Sequence, residues 1–228
     1  MPMRPVDGQT AAEKPDSALT DRDQLLEALG DALRAVDQLR AMTVVRQALK
    51  RGWTVDDVRF FLIRPALYDV GSRWERGEIG VGDEHLATSV CEWLLFALAG
   101  RVRRRPTTGL RALVGCSEGE QHVLGARIVA HVLSENGWSV LFLGAATPVP
   151  AWAQIVEARR PDVAVLSTTT PGAFDTVAPA LAVIKASRPT CRTVIGGQAY
   201  LGSDVSAEDL GADLLAVEAG GLPAQLLL

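Results

Sequence analysis

Cysteine is scarce in this chain: three residues in 228, at Cys91, Cys116 and Cys191, scattered without metal-binding spacing. An odd, sparse set excludes a disulfide framework and points to reduced thiols in a cytoplasm. Long hydrophobic runs are missing, so no stretch reads as a bilayer span. Met1 to Asp16 lacks the apolar core of a secretory signal. Basic excess is missing too. Lysine and arginine total 23 against 27 acids, a net charge of −4, which argues against a dedicated nucleic-acid surface. The one dense basic run, Arg101-Val102-Arg103-Arg104-Arg105, lies where a helix is expected to end, a place that favours cations and solvation. There is no G-x-G-x-x-G loop and no P-loop lysine, which counts against a plain nucleotide-binding module. Ser167 carries no nucleophile-elbow signature, so no hydrolase set is visible. Internal repeats and low-complexity segments are absent.

What the chain does hold is patterned apolar residue. Hydrophobic residues make up 48% and charged residues 22%, enough for one large or two small globular domains. Residues 1–19 are rich in proline, glycine, alanine and charge and read as a disordered tail. Thr20-Asp21-Arg22-Asp23 reads as a helix start. Leu25, Leu26, Leu29 and Leu33 form one helical stripe. Val44, Val45 and Leu49 form a second, closed by Gly52. Thr54-Val55-Asp56-Asp57 caps a third helix carrying Val58, Phe61, Leu62, Leu67, Val70 and Trp74, with Pro65 inside it as a bend point. Gly77 and Gly80 mark a turn. A fourth helix is expected from about Val81 to Val102, with Leu86, Val90, Trp93, Leu94 and Leu98 inward. Four helices with short connections predict a bundle over residues 20–105.

Beyond Pro106-Thr107-Thr108-Gly109 the pattern changes to short β-rich runs alternating with helical ones. Strands are expected near Leu110–Gly115, Ser139–Leu143, Val163–Ser167, Thr193–Gly196 and Leu214–Val217. Helices are expected near His122–Asn136, Pro150–Arg159, Ala173–Ser187 and Ser206–Leu210, with a short one near the end. Such alternation means βαβ units and a parallel sheet over residues 109–228. The expected class is α/β: an N-terminal four-helix bundle, then a Rossmann-like five-stranded parallel sheet with flanking helices.

The residues that carry chemistry cluster at one edge of that sheet. Glu120-Gln121-His122-Val123-Leu124-Gly125 follows the first strand. A histidine there sits where open α/β sheets bind ligands. Imidazole ligates transition metals, and a carboxylate two residues earlier can hold its second nitrogen. Gly125 leaves room for something flat and large. Ser167 and Gly196-Gly197 end later strands at the same edge. In the helical half, Trp74 and Glu84-His85 form a further cluster. The remaining histidine, His131, lies mid-helix and reads as a surface or packing residue.

Together these residues resemble the cobalamin (vitamin B12)-binding module, which carries D-x-H-x-x-G, then S-x-L, then G-G, on a Rossmann-like domain behind a small helical bundle. The resemblance covers roughly residues 20–228. It implies a base-off, His-on mode. The nucleotide tail of cobalamin leaves the cobalt for a slot beside the sheet, and His122 becomes the lower axial ligand. Carried over by position, Glu120 is the partner of His122, Ser167 a further hydrogen-bond partner, and Gly196 and Gly197 let the backbone pass close to the tail. Two positions depart from the pattern. The usual Asp is Glu120, and the Leu of S-x-L is Thr169.

The stretch from Trp74 to His85 resembles more narrowly the MerR-type cobalamin light sensors (CarH-like), where W-x9-E-H sits above the corrin. The resemblance implies that Trp74 walls the upper ligand and Glu84 bonds the ribose or adenine of a 5′-deoxyadenosyl group. His85, at a helix start, is the candidate upper cobalt ligand after photolysis. The plain alternative makes Trp74 a core residue and Glu84-His85 a solvated first turn.

The function so implied is an adenosylcobalamin photoreceptor that changes conformation or assembly when light breaks the cobalt–carbon bond. Methylcobalamin and hydroxocobalamin are alternative forms of the cofactor. No enzymatic activity is expected. A corrinoid carrier for methyl transfer is the rival reading, counted against by the E-x-H form and the W-x9-E-H cluster. The light sensors carry an N-terminal winged-helix DNA-binding domain, whereas about twenty residues precede the bundle here. The expected partners are therefore a second copy of the chain (dimer or tetramer) and a transcription regulator or signalling enzyme. Direct nucleic-acid or membrane binding is not expected.

Overall fold

The structure, a computed structural model, describes residues 16–216 and 218–227. It divides into two compact units, Met1–Ala97 and Leu98–Leu228. The division falls inside a helix, ahead of the Pro106–Gly109 stretch expected to separate the domains. Among the described residues no helix is long and apolar enough to cross a membrane.

The helical unit contains α1 (Asp16–Arg34), α2 (Gln38–Lys50), α3 (Val55–Val58), a π turn (Arg59–Ile63), α4 (Arg64–Glu75) and α5 (Val81–Ala99). Helix α1 opens at Asp16, four residues ahead of the Thr20 start. Pro15 stands immediately before it in the sequence, and proline fits only the first turn of a helix. The remainder of the expected tail, residues 1–15, lies outside the described residues. Thr54 and Asp57 form a reciprocal capping box at the start of α3. Pro65 has no N–H to give the helical ladder. The chain responds with the π turn, in which the Arg64 N–H donates to Arg59 O, and Pro65 falls in the first turn of α4.

Leu25, Leu29 and Leu33 of α1 are buried, as are Val44 and Val45 of α2 and Leu62 of the π turn, two of the elements on which α1 packs. Each such side chain contributes about 1.5–3 kcal/mol on leaving water. Helix α5 corrects the expected inward set. Its buried stripe is Ala87, Val90, Cys91, Leu94, Leu95 and Leu98, whereas Leu86 and Trp93 are exposed. Each precedes a buried residue by one position, and one position is about 100° of rotation on a helix.

The sheet unit has five parallel strands: β1 (Arg111–Cys116), β2 (Ser139–Gly144), β3 (Val163–Ser167), β4 (Arg192–Gly196) and β5 (Leu214–Ala216). Their spatial order is β2-β1-β3-β4-β5. Val217, expected to close β5, lies outside the described residues. Both sheet faces are covered, as a parallel sheet requires. Ala112, Val114 and Cys116 of β1 join Val163, Val165 and Val194 against α6 (Leu124–Glu135) and α10 (Leu222–Leu226). Leu113, Ala164, Leu166 and Ile195 point the other way, to Trp152 and Val156 of α7 (Val149–Arg159) and to α8 (Val177–Ser187). The period of two along each strand builds two cores from one sheet. The short helix α9 (Ala207–Leu210) opens on a Ser206–Asp209 capping box.

Two boundaries matter for the site. Helix α6 begins at Leu124, so His122 sits in the preceding loop and not on the helix. The expected Ala173–Ser187 helix is preceded by a 3-10 segment, Pro171–Thr176, with α8 proper starting at Val177. Strands β1 and β3 are the pair at which the strand order reverses, so the loops leaving their carboxyl ends diverge and open a crevice between them.

Candidate functional site

The loop between β1 and α6 is pinned residue by residue. The Ser117 N–H donates to Ser167 O, and the Ser117 hydroxyl meets Thr168 Oγ1 at 3.1 Å. Glu118 accepts at Oε2 from the Val149 N–H that opens α7, and its carbonyl accepts from Thr176 Oγ1. The Glu120 carbonyl accepts from the Ala146 N–H at 2.7 Å. The Cys116 thiol donates to His122 O. Burial, then the Glu120 charge, pushes that thiol up to about 12, so it acts as a donor and not a nucleophile. Cys91 and Cys191 are likewise buried free thiols.

Glu120 is the centre of this loop and is fully buried. Its Oε1 accepts from the His122 N–H at 2.8 Å and faces His122 Nδ1 at 2.6 Å. Its Oε2 accepts from the N–H groups of Thr169 and Thr170 and from Thr170 Oγ1, at 2.7, 2.8 and 3.0 Å. Burial raises the carboxyl pKa, but the His122 ring, the His122 N–H and the Thr170 and Thr169 N–H groups outweigh it and hold the value at about 2. Glu120 is therefore a fixed carboxylate. With Nδ1 donating to that carboxylate, a neutral His122 would offer its lone pair at Nε2, the tautomer and orientation a metal ligand needs. The His122 side chain is 52% exposed.

Ser167 is not among the donors to Glu120. It is buried, and its Oγ lies 3.7 Å from the place a Cβ on Gly125 would occupy. Thr169 contributes its backbone N–H rather than an apolar side chain. Thr170 was not singled out by sequence, although it directly follows Thr169 in the hydroxyl run that ends β3. The glycine pair has a reason internal to the chain. A Cβ on Gly196 would press on Ala216 O, and one on Gly197 would press on Thr168 O. Gly197 also has φ 118 and ψ 176, a conformation essentially confined to glycine. At Gly125, by contrast, the fold leaves ordinary space for a methyl group.

In the helical unit, His85 Nδ1 faces Glu84 Oε2 at 2.6 Å, and Thr88 Oγ1 donates to Glu84 Oε1 at 2.7 Å. Glu84 is thereby placed as the orienting partner of His85. The His85 side chain is 72% exposed and that of Glu84 19%. Trp74, at the end of α4, is 43% exposed and so is not a core residue. His131 of α6 is half-buried.

The B12 binding domain family matches residues 110–226, and a second B12 binding domain family matches residues 25–98. This chain belongs to the B12-binding family. Two curated relatives of this B12-binding protein are the HTH-type transcriptional repressors CarA and CarH of Myxococcus xanthus. CarA is 32% identical over 126 residues, 54% of this chain and 42% of CarA. CarH is 31% identical over 149 residues, 62% of this chain and 46% of CarH. The matched part thus spans less than half the length of either relative. Among solved structures, the monomethylamine corrinoid protein of Methanosarcina barkeri shares the fold, with a TM-score of 0.77, 19% identity, and coverage of 91% of this chain and 100% of that one.

Cobalamin, with its cobalt, is the cofactor of this family, and the donor set fits it. Among the described residues no three histidine, cysteine or acidic side chains converge to hold a metal ion. The sheet edge instead offers one oriented imidazole, which is what a cobalt already chelated by a macrocycle can use. Beside it, a Cβ on Gly125 would stand in ordinary contact with Ser167 Oγ at 3.7 Å, so the fold itself does not require glycine there.

Proposed function

We propose that this chain is an adenosylcobalamin-binding, light-responsive regulatory module. The observation that carries the reading is a repeated construction. Each unit presents one imidazole with its Nδ1 held 2.6 Å from a neighbouring carboxylate, His122 on Glu120 and His85 on Glu84. Bound adenosylcobalamin supplies a cobalt–carbon bond that light breaks. In this reading His122, oriented by Glu120, would hold the cobalt from the sheet side. Gly125 and Ser167 border the slot for the nucleotide tail. Trp74 and Glu84 would meet the group on the cofactor's other face, and His85 would supply a second imidazole to the cobalt there. The response is a change in self-association or in docking to a protein partner, a two-state element biased by the ligand. The two transcriptional repressors among the relatives support a regulatory role; the fold shared with a corrinoid protein suits a methyl carrier equally well.

The test is direct. The protein is reconstituted with adenosylcobalamin in the dark, desalted, and followed by visible spectrum and by size before and after green light. Retention of colour, a light-dependent change of size and a final spectrum that depends on His85 are expected. A light product and size indifferent to His85 would favour the carrier. A colourless desalted protein would remove both readings.

A further inference from the structure

We infer that Thr170 is a positioning residue for the lower ligand, acting through Glu120: the turn after β3 locks the carboxylate that orients His122. This rests on the reading of His122 as lower ligand. The two oxygens of Glu120 have divided duties. Oε1 serves the β1 loop through the N–H and ring of His122, and Oε2 serves the β3 turn through Thr169 and Thr170. One side chain therefore bridges the two loops that diverge at the reversal of strand order. It is fully buried, so water cannot replace a lost donor. Thr170 Oγ1 is the one side-chain donor from the β3 side, and removing it leaves the carboxylate freer to turn. The sequence pattern had assigned a hydroxyl of this kind to Ser167, but that hydroxyl lies toward Gly125.

The length of residue 120 and the identity of residue 170 are matched. A glutamate reaches past the end of β3 to residues 169 and 170. An aspartate, shorter by one bond of about 1.5 Å, can keep His122 but not both amides beyond it. The bridging carboxylate joins the loops entirely through this chain's own donors, so the hold on the imidazole does not call on the cofactor. Such preorganisation lowers the ordering cost at binding.

Two measurements test this. First, wild type, T170V and T170S are loaded with hydroxocobalamin in the dark, and the His-on spectrum and the rate of cofactor release are recorded. T170V is expected to lose part of the His-on signature and release cobalamin about tenfold faster, the usual scale for a lost outer partner of a ligand. T170S is expected to restore both, and T170V, which keeps both amide donors to Oε2, is expected to stay folded with its melting temperature lowered by a few degrees at most. Second, amide exchange is measured without cofactor. In E120D, Thr169 and Thr170 are expected to exchange about tenfold faster while His122 stays protected. If wild type holds cobalamin but T170V matches it, or T170S behaves as T170V, the assignment to Thr170 is overturned. If wild type does not hold cobalamin, the lower-ligand reading fails, and the exchange measurement still decides the bridge: unchanged amides in E120D overturn it.

Discussion

The imidazole of the sheet unit and that of the helical unit are held by carboxylates at the same distance but on different supports. Glu120 is fully buried and takes backbone donors from two loops that the sheet brings together. Glu84 lies one residue from its histidine on the first turns of α5 and is steadied by the single hydroxyl of Thr88. An exposed pair of the second kind contributes about 0–1 kcal/mol, so His85 can leave it at small cost. Moving the His122 ring away would take one of five contacts from a fully buried carboxylate, a larger penalty. The contrast separates a firmly held imidazole from an adaptable one, and it suits the light-dependent role proposed for His85.

Substitution of His122 by Ala is the most severe challenge to this contrast. It is expected to abolish the His-on spectrum completely while tail binding survives; an unchanged visible spectrum would end the lower-ligand assignment. Gly197→Ala comes next. It forces a Cβ against Thr168 O in a backbone region closed to alanine, and a loss of about 2–4 kcal/mol in denaturant unfolding is expected. A loss below about 0.5 kcal/mol would mean that the crevice floor is softer than its geometry implies. His85→Ala should leave dark binding intact and alter only the illuminated spectrum, and a defect already present in the dark would erase the distinction between the two imidazoles.

The rigidity of the sheet unit has a pH signature. Burial raises the Asp213 pKa, but Lys185 Nζ and the Thr193 N–H and hydroxyl outweigh it, and the folded-state value is lowered. A lowered value adds stability that is complete at neutral pH. It drains as pH falls through the unfolded value of about 3.9 and is gone below the folded one. Asp213→Asn should therefore narrow the stability difference between pH 7 and pH 3, and equal acid sensitivity in both proteins would remove Asp213 as a cause. The smallest effect belongs to Gly125→Ala. In a helix interior this exchange stabilises by up to about 1 kcal/mol. Here it should raise the melting temperature slightly while weakening cobalamin retention. Unimpaired retention would show that the gap beside Ser167 is not used.

Strand alternation made the sheet legible in the sequence almost to the residue, because both faces of a parallel sheet demand apolar side chains. The Glu120–His122 pair was legible for the same reason: the motif must follow β1. The third partner was not. Which hydroxyl of Ser167, Thr168, Thr169 and Thr170 meets Glu120 depends on side-chain length and on the path of the turn, which local pattern does not encode. The glycine pair was noticed for ligand approach, yet the carbonyls of Thr168 and Ala216 already require it. In α5, Val90, Leu94 and Leu98 are buried as expected, whereas Leu86 and Trp93 were assigned inward because they are apolar without being buried.

The widened turn at Arg59–Ile63 ties a distant residue to a local count. A π turn carries one residue more than the α register it interrupts. Were the same residues wound as uninterrupted α-helix, everything downstream on the helix would swing by about 100°. Trp74 would then look out from a different side of the same rod, with its composition untouched. The direction in which this indole points is thus set by arithmetic fifteen residues away.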